Sequence, residues 1–382
     1  MSSNFGQWLL HRLQLGKVHV WAFVGGLLGY DSKECYKVRL RWLCALRLRR
    51  WGSKRPLIGF GPITTVERRL DNRKWEIDPF VDYVNEQSHE FDADIFFRDS
   101  DLERFDAIVL VREFDYLGQE RLEALKKSGI KLLYNTSDNI IYERNYLTEK
   151  WLIPTFDGVV SENPLTYDEL KDIRPTRYIP TPVISLGHKQ QYRTDGPITI
   201  IWDGFKMNLG VDQFFNPLVR RLNEELGQEV RMIYHVDVPT RQEGVIQYLE
   251  WDRKLWEPRR LNADIAIALK ASDDFRKQRK PGAKVQTYMA SGLPVVCTPS
   301  RADLELIEHG KNGFFAYNDD DWYELLKQLI LSPELRERVG RQARADVVSR
   351  FGVPTLGEKY LEFFREMQIV RRDRSTPAVA NN

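Results

Sequence analysis

"KPGAKVQTYMASGLPVVCTPS", residues 280–300, sets Lys280 and Lys284 on either side of Pro281-Gly282-Ala283 and then runs through Tyr288-Met289-Ala290-Ser291-Gly292 into an apolar strand sequence. One reading is a helix that packs, stops at a glycine and hands over to a buried strand. The other is a site that grips a diphosphate. A lysine in the first turn of a helix opposes the helix dipole, so it is a poor structural choice unless an anion joins it. The loop before it, "KASDDFRKQRKPGAK", also carries Lys270, Arg276, Lys277 and Arg279. Six cations in one loop and helix start repel one another unless an anion or water screens them, and with a diphosphate present amides, dipole and lysines act together. That favours the anion site.

Outward from this stretch, short apolar runs alternate with helical patterns, which predicts parallel sheets covered on both faces. The N-terminal series of strands is "PLIGFG" (56–61), "DAIVLV" (106–111), "IKLLYN" (130–135), "DGVVS" (157–161) and "TRYIPTP" (176–182). "HKQQYRTDGP" (188–197) reads as a polar interdomain linker. A second series follows: "ITIIWDG" (198–204), "EVRMIYHV" (229–236), "ADIAIAL" (263–269) and "LPVVCT" (293–298), with helices to the end. At 382 residues two domains are expected. The predicted division is a basic N-terminal segment 1–55, an N-terminal domain 56–190, a C-terminal domain 191–353, a helix 354–372 returning to the N-terminal domain, and a disordered tail 373–382.

Composition excludes several classes. A hydrophobic content of 42 % with 29 % charged residues is that of a globular protein, and a net charge of +2 gives no reason to expect nucleic acid as a partner. Three scattered cysteines form no CxxC pair or zinc spacing, so a reducing, cytoplasmic setting is expected. "VHVWAFVGGLLGY" (18–30) is too short to span a bilayer. "ECYKVRLRWLCALRLRRWGSKR" (34–55) mixes arginines with tryptophans, which suits a peripheral helix on an anionic membrane surface or a solvated cap on a domain. Acidic pairs at Asp92/Asp94, Asp99/Asp101 and Asp319 to Asp321 are read as exposed turns, not metal ligands, and no histidine falls in a metal spacing.

In two doubly wound domains, ligands bind beyond the carboxyl ends of the strands. The loops there hold further candidates. Gly59 and Gly61 in "GFGPITTVERRL" would let backbone approach a sugar or phosphate. In "YNTSDNIIYER", Thr136, Ser137, Asp138 and Asn139 are suited to hydrogen-bonding a sugar, with Asp138 as a base, or equally to capping a helix. In "WDGFKMN", Gly204 permits a tight turn and Lys206 sets a cation at a strand end.

Residues 256–340, from "WEPRRLNADIAIAL" through "KPGAKVQTYMASGLPVV" to "GKNGFF" and the helices beyond, resemble the C-terminal domain of GT-B glycosyltransferases of the large retaining family 4. The shared pattern is an "aDIaiaPL" strand, a K-x3-K pair, an "EYMAxGxPVV" helix–strand and a "GxNGxL" turn. The resemblance implies the α/β GT-B fold, two Rossmann-like domains facing across a cleft. It also implies a nucleotide-diphosphate sugar as co-substrate on the C-terminal domain, no other cofactor and no metal, and a saccharide or lipid-linked acceptor on the N-terminal side. Lys280 and Lys284 take the places of the cations beside the donor phosphates and, with Lys206, would offset charge on the leaving diphosphate. Gly204, Thr287 and Tyr288 are the other donor-side expectations; Gly59, Gly61 and Asp138 belong to the acceptor side or cleft. One departure stands out. The glutamate of the family pattern is Thr287 here, and Arg279 occupies the position of its earlier acidic partner. A hydroxyl offers less than a carboxylate's two acceptor oxygens. The expected activity is therefore a metal-independent glycosyltransferase in surface polysaccharide or glycolipid assembly; the alternative is a degenerate GT-B protein acting as a partner or scaffold. Sugar-nucleotide epimerisation is a third reading, but the acid–base residues it needs have no evident place.

Overall fold

The computed structural model describes residues 53–63, 76–96, 101–112, 117–136, 152–184, 187–252, 255–270 and 280–373. Asp138, the cations Arg276, Lys277 and Arg279, and most of the basic segment 34–55 lie outside them.

Two sheets organise the chain. The first comprises β1 (Leu57–Gly61), β2 (Asp92–Ile95), β3 (Ala107–Val111), β4 (Lys131–Thr136), β5 (Gly158–Ser161) and β6 (Thr176–Tyr178), all parallel, in the order β2-β1-β3-β4-β5-β6. The second comprises β7 (Ile198–Gly204), β8 (Val230–Val236), β9 (Arg241–Glu243), β10 (Ile246–Glu250), β11 (Ile265–Ala268), β12 (Val295–Cys297) and β13 (Phe314–Phe315), in the order β13-β12-β11-β7-β8-β10-β9. Only β9 runs antiparallel there. Runs such as "AIVLV" and "IAIA" are apolar at successive positions because helices cover both faces of these sheets.

The helices are α1 (Asp78–Gln87), α2 (Gly118–Lys127), α3 (Leu152–Thr155), α4 (Pro164–Leu170), α5 (Asp212–Leu226), α6 (Trp256–Asn262), α7 (Ala283–Ala290), α8 (Arg301–Leu304), α9 (Asp319–Leu331), α10 (Pro333–Phe351) and α11 (Val353–Glu366). Local chemistry sets several starts. Asn318 caps α9 by accepting from the Asp321 amide, and Asp319 to Asp321 form its acidic first turn. Ser332 caps α10, whose first residue is Pro333. The last helix, α11, lies on the N-terminal sheet: the Tyr360 ring is 5.5 Å from Phe60 and 4.4 Å from Phe80, and the Tyr360 hydroxyl accepts from Asn135 at 3.1 Å. Among the described residues no helix is long and apolar enough to cross a membrane.

Three sequence expectations change. Asp92 and Asp94 are not in an exposed turn. They lie in β2, at 2 % and 6 % exposure, because Arg55 and Ser53 bond Asp92 while Arg104 bonds Asp94 at 2.8 Å. The polar stretch 188–197 is not polar surface throughout: Lys189 is buried, its ammonium 2.7 Å from the Ala263 carbonyl and 3.3 Å from Asp264. Finally, the first of the helices expected beyond residue 298 is only the short α8, since the chain beyond Leu304 turns back on itself through bonds to the Ala302 and Asp303 carbonyls.

Candidate active site

In the C-terminal sheet β8, β10 and β9 lie in that order to one side of β7, and the chain then returns to the other side of β7 to add β11, β12 and β13. The order reverses between β7 and β11, and a crevice opens at the carboxyl ends of such a pair. Asp203 and Gly204 end β7; Lys270 follows β11; α7, with Lys284 in its first turn, begins above them. The switch point therefore coincides with Lys270 and Lys284.

Lys284 is half-buried, and its ammonium sits 4.3 Å from the centroid of the Trp202 ring. Among the described residues no carboxylate pairs with it. Burial, together with the nearby Lys270 and Lys280 charges, lowers its pKa to about 8, against the opposing pull of Asp203 and Asp303. Lys270 is compensated differently: its ammonium bonds the buried Asp303 carboxylate at 2.5 Å and Ser300 at 2.8 Å. Lys270 has a directly bonded counter-charge, whereas Lys284 rests on a π face, with Asp203 and Asp303 acting on it without an ion pair among the described residues.

The Trp202 ring is fully buried, with its indole N–H unpartnered among the described residues. It can fold beside β7 because position 204 is glycine: a Cβ there would fall 2.1 Å from the ring. Beneath it, the Asp203 amide donates to the Tyr288 hydroxyl at 2.6 Å, and the Asp203 carboxylate lies 3.2 Å from Nδ1 of buried His235 and 4.0 Å from buried Arg260. Burial holds the Tyr288 phenol well above its usual range and pulls the Arg260 guanidinium down. Tyr288 thus acts from below, fixing the strand end on which Lys284 rests.

Of the remaining expected residues, Lys280 is exposed just before α7. Lys206 is exposed in a turn whose backbone is held by Asp237. The Thr287 hydroxyl donates to the Ala283 carbonyl at 2.6 Å, within its own helix. Gly59 and Gly61 have a packing reason, since a Cβ would meet the Phe105 ring at 2.8 Å or the Phe96 carbonyl at 2.5 Å. Sequence reasoning missed Trp202, Asp203, Arg260 and Asp303. The one available signal was "WDG" itself, a tryptophan two residues from a glycine at a strand end.

Residues 263–346 match the family described as glycosyl transferases group 1. That segment, less than a quarter of the chain, is similar to a glycosyltransferase group 1 domain. Spore coat protein SA of Bacillus subtilis (strain 168) is 33 % identical over 92 residues, which are 23 % of this chain and 24 % of that protein, so the chain spans about a quarter of the length of this curated relative. The described residues have the GT-B fold. A glycosyltransferase from Rickettsia africae ESF-5 superposes with a TM-score of 0.57 at 13 % identity, over 83 % of this chain and 99 % of that one. Anabaena HepE, solved with UDP and glucose, superposes with a TM-score of 0.55 at 12 % identity, over 81 % and 99 %. At those identities the likeness is one of fold.

Proposed function

We propose that the chain is a glycosyltransferase that moves a sugar from a nucleoside-diphosphate donor to a saccharide or lipid-linked acceptor, with retention of configuration and without a metal. The observation that carries this reading is Lys284: a cation held at the switch point on a tryptophan face, with no carboxylate paired to it among the described residues. A diphosphate supplies the missing counter-charge. As the bond between sugar and diphosphate breaks, negative charge grows on the leaving oxygen, and Lys284 and Lys280 meet it. Lys206 is a third cation for the same phosphates. The HepE structures hold UDP with glucose or UDP-glucose, which makes a UDP-sugar the first donor to try. The arginine- and tryptophan-bearing segment 34–55 favours an acceptor at an anionic membrane surface on the cytoplasmic side, as in surface polysaccharide or glycolipid assembly.

A second reading has its own support. Thr287 replaces the glutamate of the family pattern, and its hydroxyl is donated to Ala283. If donor binding needs that carboxylate, the chain is a partner protein that no longer transfers sugar. Release of nucleoside diphosphate from UDP-, GDP-, ADP- and TDP-sugars, with and without simple saccharides, separates the two. Turnover that disappears with Lys284→Met supports transfer; no release from any donor supports the partner role.

A further inference from the structure

Two side-chain amides cross between the domains, and they bracket Lys284. From the N-terminal domain, Asn163 donates through Nδ2 to the Lys280 carbonyl at 3.0 Å. From the C-terminal domain, Gln286 on α7 donates through Nε2 to the Thr181 carbonyl at 3.0 Å. Both side chains are buried, at 2 % and 4 % exposure. One bond fixes the backbone just before α7, the other fixes its first turn, and Lys284 lies between them.

The orientation of the Asn163 amide follows from its other duty. Its Oδ1 accepts from the Leu165 and Thr166 amides, at 2.8 and 3.3 Å, as the cap of α4. With the oxygen committed there, the NH2 group must face Lys280. The second bond also extends into the N-terminal domain: the Thr181 hydroxyl donates to Glu162 at 2.7 Å, and buried Glu162 is the neighbour of Asn163 at the end of β5. A surface ion pair, Arg301 with Asp168 at 3.9 Å, flanks this contact and adds little.

We propose that Asn163 and Gln286 form a two-point latch that holds α7 against the N-terminal domain, making them positioning residues for Lys284. When the cleft closes, the two bonds place the ammonium; when they part, the start of α7 loosens. Domain closure and phosphate binding are thereby coupled through the helix itself. The claim about phosphate rests on the transferase reading, whereas the latch between domains does not.

Two substitutions separate latch from cap. Asn163→Asp and Asn163→Ser each keep an oxygen that caps α4. The first loses the N–H, and the second is too short to reach Lys280. Gln286→Glu does the same at the other point. Amide hydrogen exchange of the full chain without nucleotide should show residues 283–290 exchanging about five- to tenfold faster in each variant, the scale of one lost hydrogen bond. The thermal midpoint should stay within about 4 °C of wild type. Unchanged exchange at 283–290, or acceleration spread evenly over both domains, overturns the latch. Equilibrium binding of UDP, GDP and ADP is measured on the same proteins. A dissociation constant raised about tenfold in Asn163→Ser extends the latch to phosphate placement, and an unchanged constant overturns that role. If wild type binds none of the three, the donor reading falls while the exchange result still decides the latch.

Discussion

The Lys284 ammonium rests 4.3 Å from the Trp202 ring centroid, and Gly204, two residues past that tryptophan, is what leaves room for the ring. The pair sets a cation in a desolvated place, with no carboxylate paired to it among the described residues. Such an arrangement costs stability in the empty protein and favours an anionic ligand.

Lys284→Met should therefore move stability and binding in opposite directions. Methionine fills similar volume against the indole without a buried charge, so the empty protein should melt at the same or a higher temperature. Loss of a charge-assisted contact, worth about 1.5–3 kcal/mol, should weaken nucleoside diphosphate binding by about one to two orders of magnitude. Thermal melts and titration calorimetry on one preparation check both signs.

The lysine also gives a pH signature. Its pKa is about 8 in the folded chain and about 10.5 when free. Between those values the unfolded chain holds the extra proton, so this group makes stability rise with pH across that window and contributes a constant penalty below it. Binding should show the reverse: a diphosphate favours the ammonium, so affinity should be flat below about pH 8 and fall above it. The loss should reach about tenfold per pH unit. Calorimetry at pH 7 and 9, in buffers of different ionisation enthalpy, should show proton uptake only at the higher pH and none in Lys284→Met.

Gly204→Ala should displace the ring. The added methyl would fall 2.1 Å from a buried indole, at a cost of about 1–3 kcal/mol. Gly210→Ala, a few residues on, meets nothing within 4 Å and should change stability by less than about 0.5 kcal/mol. Denaturant unfolding of both variants gives the contrast directly.

Asp303→Asn tests the compensated lysine. Asp303 is fully buried and accepts from Lys270 and Ser300. Breaking such a pair from one side costs about 3–5 kcal/mol, because the partner charge stays behind. Replacing Lys270 as well, by methionine, should recover part of that loss. A double-mutant cycle on unfolding free energy reads the coupling.

Local signals carried much of the fold. "ITIIWDG" became β7 from end to end, and the apolar runs of β3 and β11 lie where their composition puts them. β2 was hidden because "DADI" reads as polar until Arg55, from before β1, and Arg104, ten residues on, neutralise its acids. The site divides in the same way. Lys280 and Lys284 stood out because their crowding and their place at a helix start are local facts. The seat of Lys284 on Trp202, the counter-charge of Lys270 and the Asn163–Lys280 bond join residues far apart in sequence, and only the folded sheets bring them together. Gly59 and Gly61 show the converse: a glycine at a strand end says that something comes close, not whether it is a ligand or a phenylalanine ring.

The most direct test of the central claim is thermal unfolding of wild type and Lys284→Met against millimolar UDP, GDP, ADP, TDP and CMP. A ligand at about 100 times its dissociation constant adds about 2.7 kcal/mol, a plainly raised midpoint. The account predicts that at least one nucleoside diphosphate raises the midpoint of wild type and that the variant loses most of the shift. No shift with any nucleotide, or a shift of equal size in the variant, would contradict it.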